Sequence, residues 1–245
     1  MTAPLLQILV ISDTICAYWL TSNISYEFKP NYSFIAIIIM SLVVVVFIEN
    51  AGGYEMLKEY EVPETLQRLF QIDEQLKTKY GESFEFLGAS LCFEEEGYDC
   101  TPDEAIVFLW TGADGDHFAF LTDGVTVDSL EDAPILFIQP MDFDDPYKPV
   151  ARNLKEFLAL YVQLKELYLF EWLPSYKTEE EFVQHYKDNF EDGILENEEE
   201  QKSVISAIEQ HIQLPEIVGV FAYIQELKEL FQQRLQDLQE KYVLD

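Results

Sequence analysis

The sequence predicts an α+β fold: an antiparallel sheet covered by helices, with a C-terminal helical extension and an apolar N-terminal segment. Three observations predict it. A helical apolar period follows Val62-Pro63, short apolar runs then recur at strand spacing between turns rich in Gly and Asp, and the helical period returns after Pro149. With 245 residues, 49% hydrophobic and 14% aromatic, the chain can bury one full core plus an appendage.

Residues 1–50 form a first unit by composition. Residues 3–20 are apolar but interrupted by Gln7, Ser12, Asp13 and Thr14, and residues 32–48 run for 17 positions without a charge. About 17 to 25 apolar residues cross a bilayer core, so residues 1–48 can be read as a membrane hairpin with its loop at 21–31. An amphipathic or buried element and an extension outside the natural fold are the other two readings, and Asp13 counts against spanning because a carboxylate is costly in hydrocarbon. The loop holds only Lys29, whereas Lys58 and Arg68 follow the second run, which leans toward a cytoplasmic main domain. Without a basic n-region or a small-residue cleavage pattern, the N-terminus matches a secretory signal peptide poorly.

Residues 51–174 read as the central α+β domain. Val62-Pro63-Glu64 followed by Leu66, Leu69, Phe70, Ile72 and Leu76 predicts a helix with proline in its first turn, ending near Tyr80-Gly81. Apolar runs at 83–87, 105–110, 117–122, 125–127 and 135–138 have strand spacing. Gly112 and Gly115 supply positive φ to the turn at 111–116, and Asp123-Gly124 signals a tight hairpin, so a three-stranded meander is expected. The unbroken apolar run Ile106-Val107-Phe108-Leu109-Trp110 predicts a central strand covered on both faces. Leu154, Phe157, Leu158, Tyr161, Leu164 and Tyr168 predict the covering helix, ending before Leu173-Pro174.

Residues 175–245 read as the helical extension, with a short helix at 179–190 and an acidic linker or helix start at 192–200. Ile217, Ile224, Phe231 and Leu238 repeat every seven residues and predict a helix buried along one seam. Such a seam either packs within the molecule or dimerises. The sequence favours packing on Ile205, Ile208 and Ile212 across a turn at Leu214-Pro215, with the helical pair enlarging a binding surface or protecting a sheet edge.

Phe108-Leu109-Trp110-Thr111-Gly112 followed by Asp114-Gly115-Asp116-His117-Phe118-Ala119-Phe120-Leu121-Thr122-Asp123 resembles the central hairpin of the SUKH superfamily (Smi/Knr-like domains). Ala133-Pro134-Ile135, Pro140-Met141-Asp142-Phe143 and Val150-Ala151-Arg152-Asn153-Leu154-Lys155-Glu156-Phe157-Leu158 are similar to its later strand, loop and helix, in the same order. Val62-Pro63-Glu64-Thr65-Leu66 is similar to its opening helix. The resemblance covers residues 56–175 and implies an α+β fold. For bacterial members it implies a protein that binds and neutralises protein toxins, often nucleases; fungal members act in cell-wall regulation. The apolar N-terminus and the helical tail depart from the pattern.

Charge points to the same class of partner. The net charge of −31 comes from 46 acidic against 15 basic side chains, which opposes nucleic acid, whose phosphates need Lys and Arg. Between Lys79 and Lys148 there is no Lys or Arg but there are 17 acidic residues. A field of one sign attracts a basic protein and can raise association rates to ~10⁸–10⁹ M⁻¹s⁻¹ at low salt. The expected partner-binding residues are Glu94, Glu95, Glu96, Asp99, Asp114, Asp116, Asp142, Asp144 and Asp145, whose carboxylates can form charge-assisted bonds to Lys or Arg. An acidic surface that serves solubility alone is the plainer alternative.

The remaining chemistry is sparse, and no catalytic residue, metal ligand or cofactor is assigned. Asp114, Asp116 and His117 share a turn, but a calcium loop starting at Asp114 would need a ligand and then Gly where Phe118 and Ala119 stand. His117 is expected to hydrogen-bond its own turn. Cys16, Cys92 and Cys100 have neither zinc spacing nor a disulfide framework, which fits a reducing, cytoplasmic location. Cys92 reads as a buried hydrophobe and Trp110 as core at a strand end rather than an exposed anchor. A non-enzymatic, acidic immunity protein is the expected function, and a membrane-tethered scaffold or regulator of the same fold is the alternative. The oligomeric state is left open.

Overall fold

Residues 60–80, 89–122, 127–196 and 198–243 are described in the computed structural model. The N-terminal apolar segment, the strand expected at 83–87 and the Asp123-Gly124 turn lie outside them, as do Val125 and Thr126. Lys58–Asp245 groups as one unit, separate from Met1–Leu57.

Proline at position 63 suits a first helical turn, and α1 (Glu64–Tyr80) follows it, burying Leu66, Leu69, Ile72 and Leu76 on one face. Its N-terminus is capped from a distance: Thr65 N donates to Glu131 Oε1 at 2.6 Å, and Thr65 Oγ1 donates to Glu131 Oε2 at 2.8 Å. A carboxylate placed there meets free N–H groups and the positive end of the helix dipole.

Five strands, β1 (Ser90–Glu95), β2 (Ala105–Trp110), β3 (His117–Leu121), β4 (Ile135–Ile138) and β5 (Tyr147–Ala151), form one antiparallel sheet in sequence order. The expected three-stranded meander placed residues 125–127 next to β3 across the Asp123-Gly124 turn, whereas the neighbours of β3 are β2 and β4; β1 and β5 at the two edges were not expected. Leu91, Cys92 and Phe93 make β1 only half apolar before two acids, and β5 carries Pro149 at its centre, a residue tolerated in a sheet because the strand lies at the edge. The centre is β3, every residue of which is buried, rather than β2, whose ends are partly exposed.

Alternation divides the sheet between two cores. Phe118, Phe120, Ile135 and Phe137 face the helices, while Val107, Ala119, Leu121, Leu136 and Ile138 face the other side. A register shift between Val107 and Leu109 lets the adjacent Phe108 and Leu109 share the helical side. There Phe118 meets Phe157 at 5.0 Å between ring centroids and Phe157 meets Phe170 at 5.3 Å.

The covering helix is shorter than its period suggests. Asn153 caps α2 (Leu154–Leu164) by accepting from Glu156 N at 3.0 Å, and Lys165, at φ 59°, ends it in the left-handed region. A separate turn, α3 (Leu169–Trp172), follows and buries Leu169 and Phe170. Next come α4 (Glu179–Asn189), α5 (Glu191–Glu196), α6 (Glu198–His211) and α7 (Val220–Tyr242).

The last two helices do not form the expected hairpin. α6 packs on α1, and α7 packs along the edge strand β5. The cause is the connection: residues 213–219 have no helical turn, and Gln163 Nε2 holds the Ile217 carbonyl at 3.2 Å. The seven-residue seam is nevertheless buried at Ile217, Ile224, Phe231 and Leu238. Tyr223, Ile224, Leu227 and Phe231 join the helical core, whereas Leu238 joins the opposite one, so α7 wraps the β5 edge and shields it. No helix among the described residues is long and apolar enough to cross a membrane.

Candidate partner-binding surface

Antiparallel register decides which turns meet. Trp110 pairs with His117, His117 with Ile138 and Ile138 with Tyr147, so the β2–β3 and β4–β5 turns lie at the same end of the sheet. Five of the nine expected binding residues lie in these two turns.

The first turn is closed by Thr111 N donating to Asp116 O at 3.0 Å and Asp116 N donating to Ala113 O at 2.9 Å. Gly112, Asp114 and Gly115 take φ of 76°, 48° and 80°, the left-handed region that glycine enters without steric cost. Asp114 is exposed at the tip. His117 is fully buried: Nδ1 donates to Gly115 O at 2.8 Å, and Nε2 accepts from Thr101 Oγ1 at 3.0 Å. The carbonyl can only accept, which fixes the tautomer, and burial holds the imidazole below its ordinary range. His117 therefore belongs to the framework, hydrogen-bonded to its own turn as expected. Trp110 is half-buried with its ring centroid 4.7 Å from that of His117, and the half-exposed Tyr98 covers both.

The second turn is built around Lys148. Its buried ammonium donates to Asp142 Oδ2 at 2.9 Å and to Asp145 O at 2.6 Å, and Asp145 N donates to Asp142 Oδ1 at 3.2 Å. Burial disfavours the Asp142 charge, but the Lys148 bond and charge outweigh it and hold the carboxyl below its usual range. Asp144 and Asp145 are exposed, and the Asp144 carbonyl is held by Gln239 Nε2 of α7 at 2.6 Å. Between these acids Met141 and Phe143 stand 66% and 70% exposed.

The two turns are joined by Gln139, whose Nε2 donates to Asp116 Oδ2 at 3.1 Å. Asp116 is buried, unlike Asp114 at the tip of the same turn. Burial pushes the carboxyls of Asp116 and Glu171 above their ordinary range. Burial and the charge of Glu171 push the Tyr176 hydroxyl up to about 12.

Glu96 and Asp99 are exposed on the loop after β1, which reaches the same end through Tyr98. Glu94 and Glu95 belong to β1, and their side chains lie outside the described residues. Sequence reasoning missed Gln139, Glu171, Met141 and Phe143. A signal existed for three of them: Met141 and Phe143 are apolar residues inside an acidic turn, and Glu171 is the one charge in the apolar run 167–174.

Among the described residues no group of three or more His, Cys, Asp or Glu side chains could hold a metal ion. Cys92 is buried, and burial pushes the Cys100 thiol up, away from the thiolate that nucleophilic chemistry uses. What the arrangement offers is hydrogen-bond acceptors and negative charge around two apolar side chains. No family model matches this chain, and neither a curated protein nor a solved structure matches it.

Proposed function

We propose that this chain is a non-enzymatic binding protein of the immunity type, which docks a basic protein toxin such as a nuclease on the turn end of its sheet and occludes it. The observation that carries this reading is the pair Met141 and Phe143, exposed inside a turn whose other side chains include Asp142, Asp144 and Asp145. Large apolar side chains on an acidic rim have the composition of a docking patch, with anchors to be buried and charges to steer and orient. The resemblance of residues 56–175 to SUKH proteins supports the same reading, as does the net charge of −31.

The test is retention on the immobilised full-length chain, with elution by rising salt. The expected result is one basic protein, released by salt, whose own enzymatic activity is lost on adding one equivalent of the chain. Retention that survives reversal of Asp114, Asp142 and Asp144 to Lys, or a retained protein whose activity is untouched, would overturn the proposal.

A further inference from the structure

We infer that Gln239 of α7 is a positioning residue for the docking turn: its bond to the Asp144 carbonyl holds the tip, so the C-terminal helix governs how Phe143 is presented. This rests on the docking reading and names what regulates that surface.

The β4–β5 turn is tied down unevenly. Its neck is closed by Gln139 N donating to Pro146 O at 2.9 Å, and Asp142 N donates to Gln139 O at 3.1 Å. Lys148 holds the Asp142 carboxylate and the Asp145 carbonyl, one on each side of the tip. Phe143 and Asp144 stand between those two points, and both are exposed. Among the described residues a single hydrogen bond reaches either of them from another element. Gln239 Nε2 donates to Asp144 O at 2.6 Å, across 95 positions of the chain. With 70% of Phe143 in solvent, the backbone of the tip sets the place of its ring, and packing does little.

The donor comes from a fixed platform. Leu238, next to Gln239, is fully buried in the core that also holds Ile138 and Tyr147, the last residue of β4 and the first of β5. Three residues beyond Gln239, Tyr242 donates to Glu104, and Arg234 and Lys241 pair with the same carboxylate. Gln239 itself is only partly exposed. The helix end is thus held by apolar burial and by charge, and an amide carried on it can restrain a turn that has no such support of its own. A tip ordered before contact has less freedom to lose on binding. An anchor in its competent place for only part of the time lowers the apparent affinity by that fraction.

The experiment follows amide hydrogen exchange by mass spectrometry in the full-length parent and in Gln239→Ala, Gln239→Glu and Gln239→Lys. Glutamate keeps the size but cannot donate once ionised, whereas lysine restores a donor of similar reach. The expected result is exchange over residues 142–145 about fivefold faster in Gln239→Ala and Gln239→Glu, and near the parental rate in Gln239→Lys. Exchange over residues 105–110 should be unchanged in all of them, and the melting temperature should fall by no more than about 4 °C, which separates positioning from global stability. The basic protein that salt elutes from the immobilised parent should bind Gln239→Ala about fivefold more weakly. Parental exchange over 142–145 in Gln239→Ala, a defect that lysine does not repair, or faster exchange with unchanged affinity would overturn the inference. If the parent captures no basic protein while the exchange difference is present, the docking reading falls and the hold of Gln239 on the turn stands, so the two failures are distinct.

Discussion

The hydroxyl of Tyr242 donates to the carboxylate of Glu104, 138 positions earlier, at 2.5 Å, and accepts from Asp103 N at 3.1 Å. Arg234 and Lys241 of the same helix reach that carboxylate at 2.5 and 3.4 Å. The end of α7 is therefore clasped to the entry of β2. Hydrogen bonds to charged groups contribute about 1.5–3 kcal/mol. Tyr242→Phe should lower stability by about 1.5–2 kcal/mol. Glu104→Ala should cost about 2–4 kcal/mol, at the low side of a fully buried pair because Lys241 keeps contact with water. Urea denaturation of both variants checks the order. A Glu104→Ala chain as stable as the parent would mean that the apolar seam alone holds the helix.

Acid should act on Glu104 and Asp116 in opposite directions. Burial works against the Glu104 charge, but the bonds from Tyr242 and Arg234 and the Lys241 charge outweigh it and hold the carboxyl below its ordinary value. Its contribution is present above the unfolded value of about 4.3 and is lost as pH falls through the folded one. The Asp116 carboxyl is raised by burial and by Asp114 and Asp142, against the bond from Gln139 and the charge of Lys148. Its contribution is full below about 3.9 and is lost as pH rises through the raised folded value. Comparing unfolding midpoints from pH 3 to pH 7, Glu104→Gln should lose most at pH 7. Asp116→Asn should gain relative to the parent as pH rises. The reverse ranking would contradict both assignments.

Legibility in the sequence followed the strength of local pattern. Strands β2 and β4 were placed to the residue and β3 within one, because each is an apolar run between turns with a mechanism of their own. The edge strands were not visible: Pro149 and Lys148 argue against a strand until the sheet edge and the acidic turn explain them. The seam of α7 was readable as buried, yet its partner was not, since periodicity reports a face and not what covers it. At the binding end, the acidic turns were readable, but not that Asp116 points inward. That orientation goes with the bond from Gln139, 23 positions away in the chain.

The β2–β3 turn should be intolerant at one glycine and lenient at another. A Cβ on Gly115 would lie 2.5 Å from the Tyr98 ring, at φ +80°, whereas one on Gly112 meets nothing within 4 Å. Gly112→Ala carries only the left-handed backbone cost of about 1–2 kcal/mol. Gly115→Ala adds the displacement of Tyr98 and should cost clearly more, while loosening the ring from Trp110 and His117. Thermal unfolding gives the first difference and tryptophan fluorescence the second. Equal destabilisation would show that Tyr98 yields without resistance.

Phe143 and Asp144 are neighbours in one exposed turn, yet they should affect binding of the basic partner through different rates. An apolar anchor acts after contact, once water has left, so its loss shortens the life of the complex. A rim charge acts before contact through the long-range field, so its reversal slows encounter. Phe143→Ala should therefore leave the association rate within about twofold and speed dissociation about 30-fold, the tenor of a hot spot of ~2 kcal/mol. Asp144→Lys should slow association several-fold at low salt, with the gap closing as salt approaches 0.5 M and the Debye length shortens. Both side chains are exposed, so the melting temperatures should stay near that of the parent. Surface plasmon resonance across a salt series separates the two. If Phe143→Ala dissociates at the parental rate, the anchor lies elsewhere, and the exposure of Phe143 does not serve this contact.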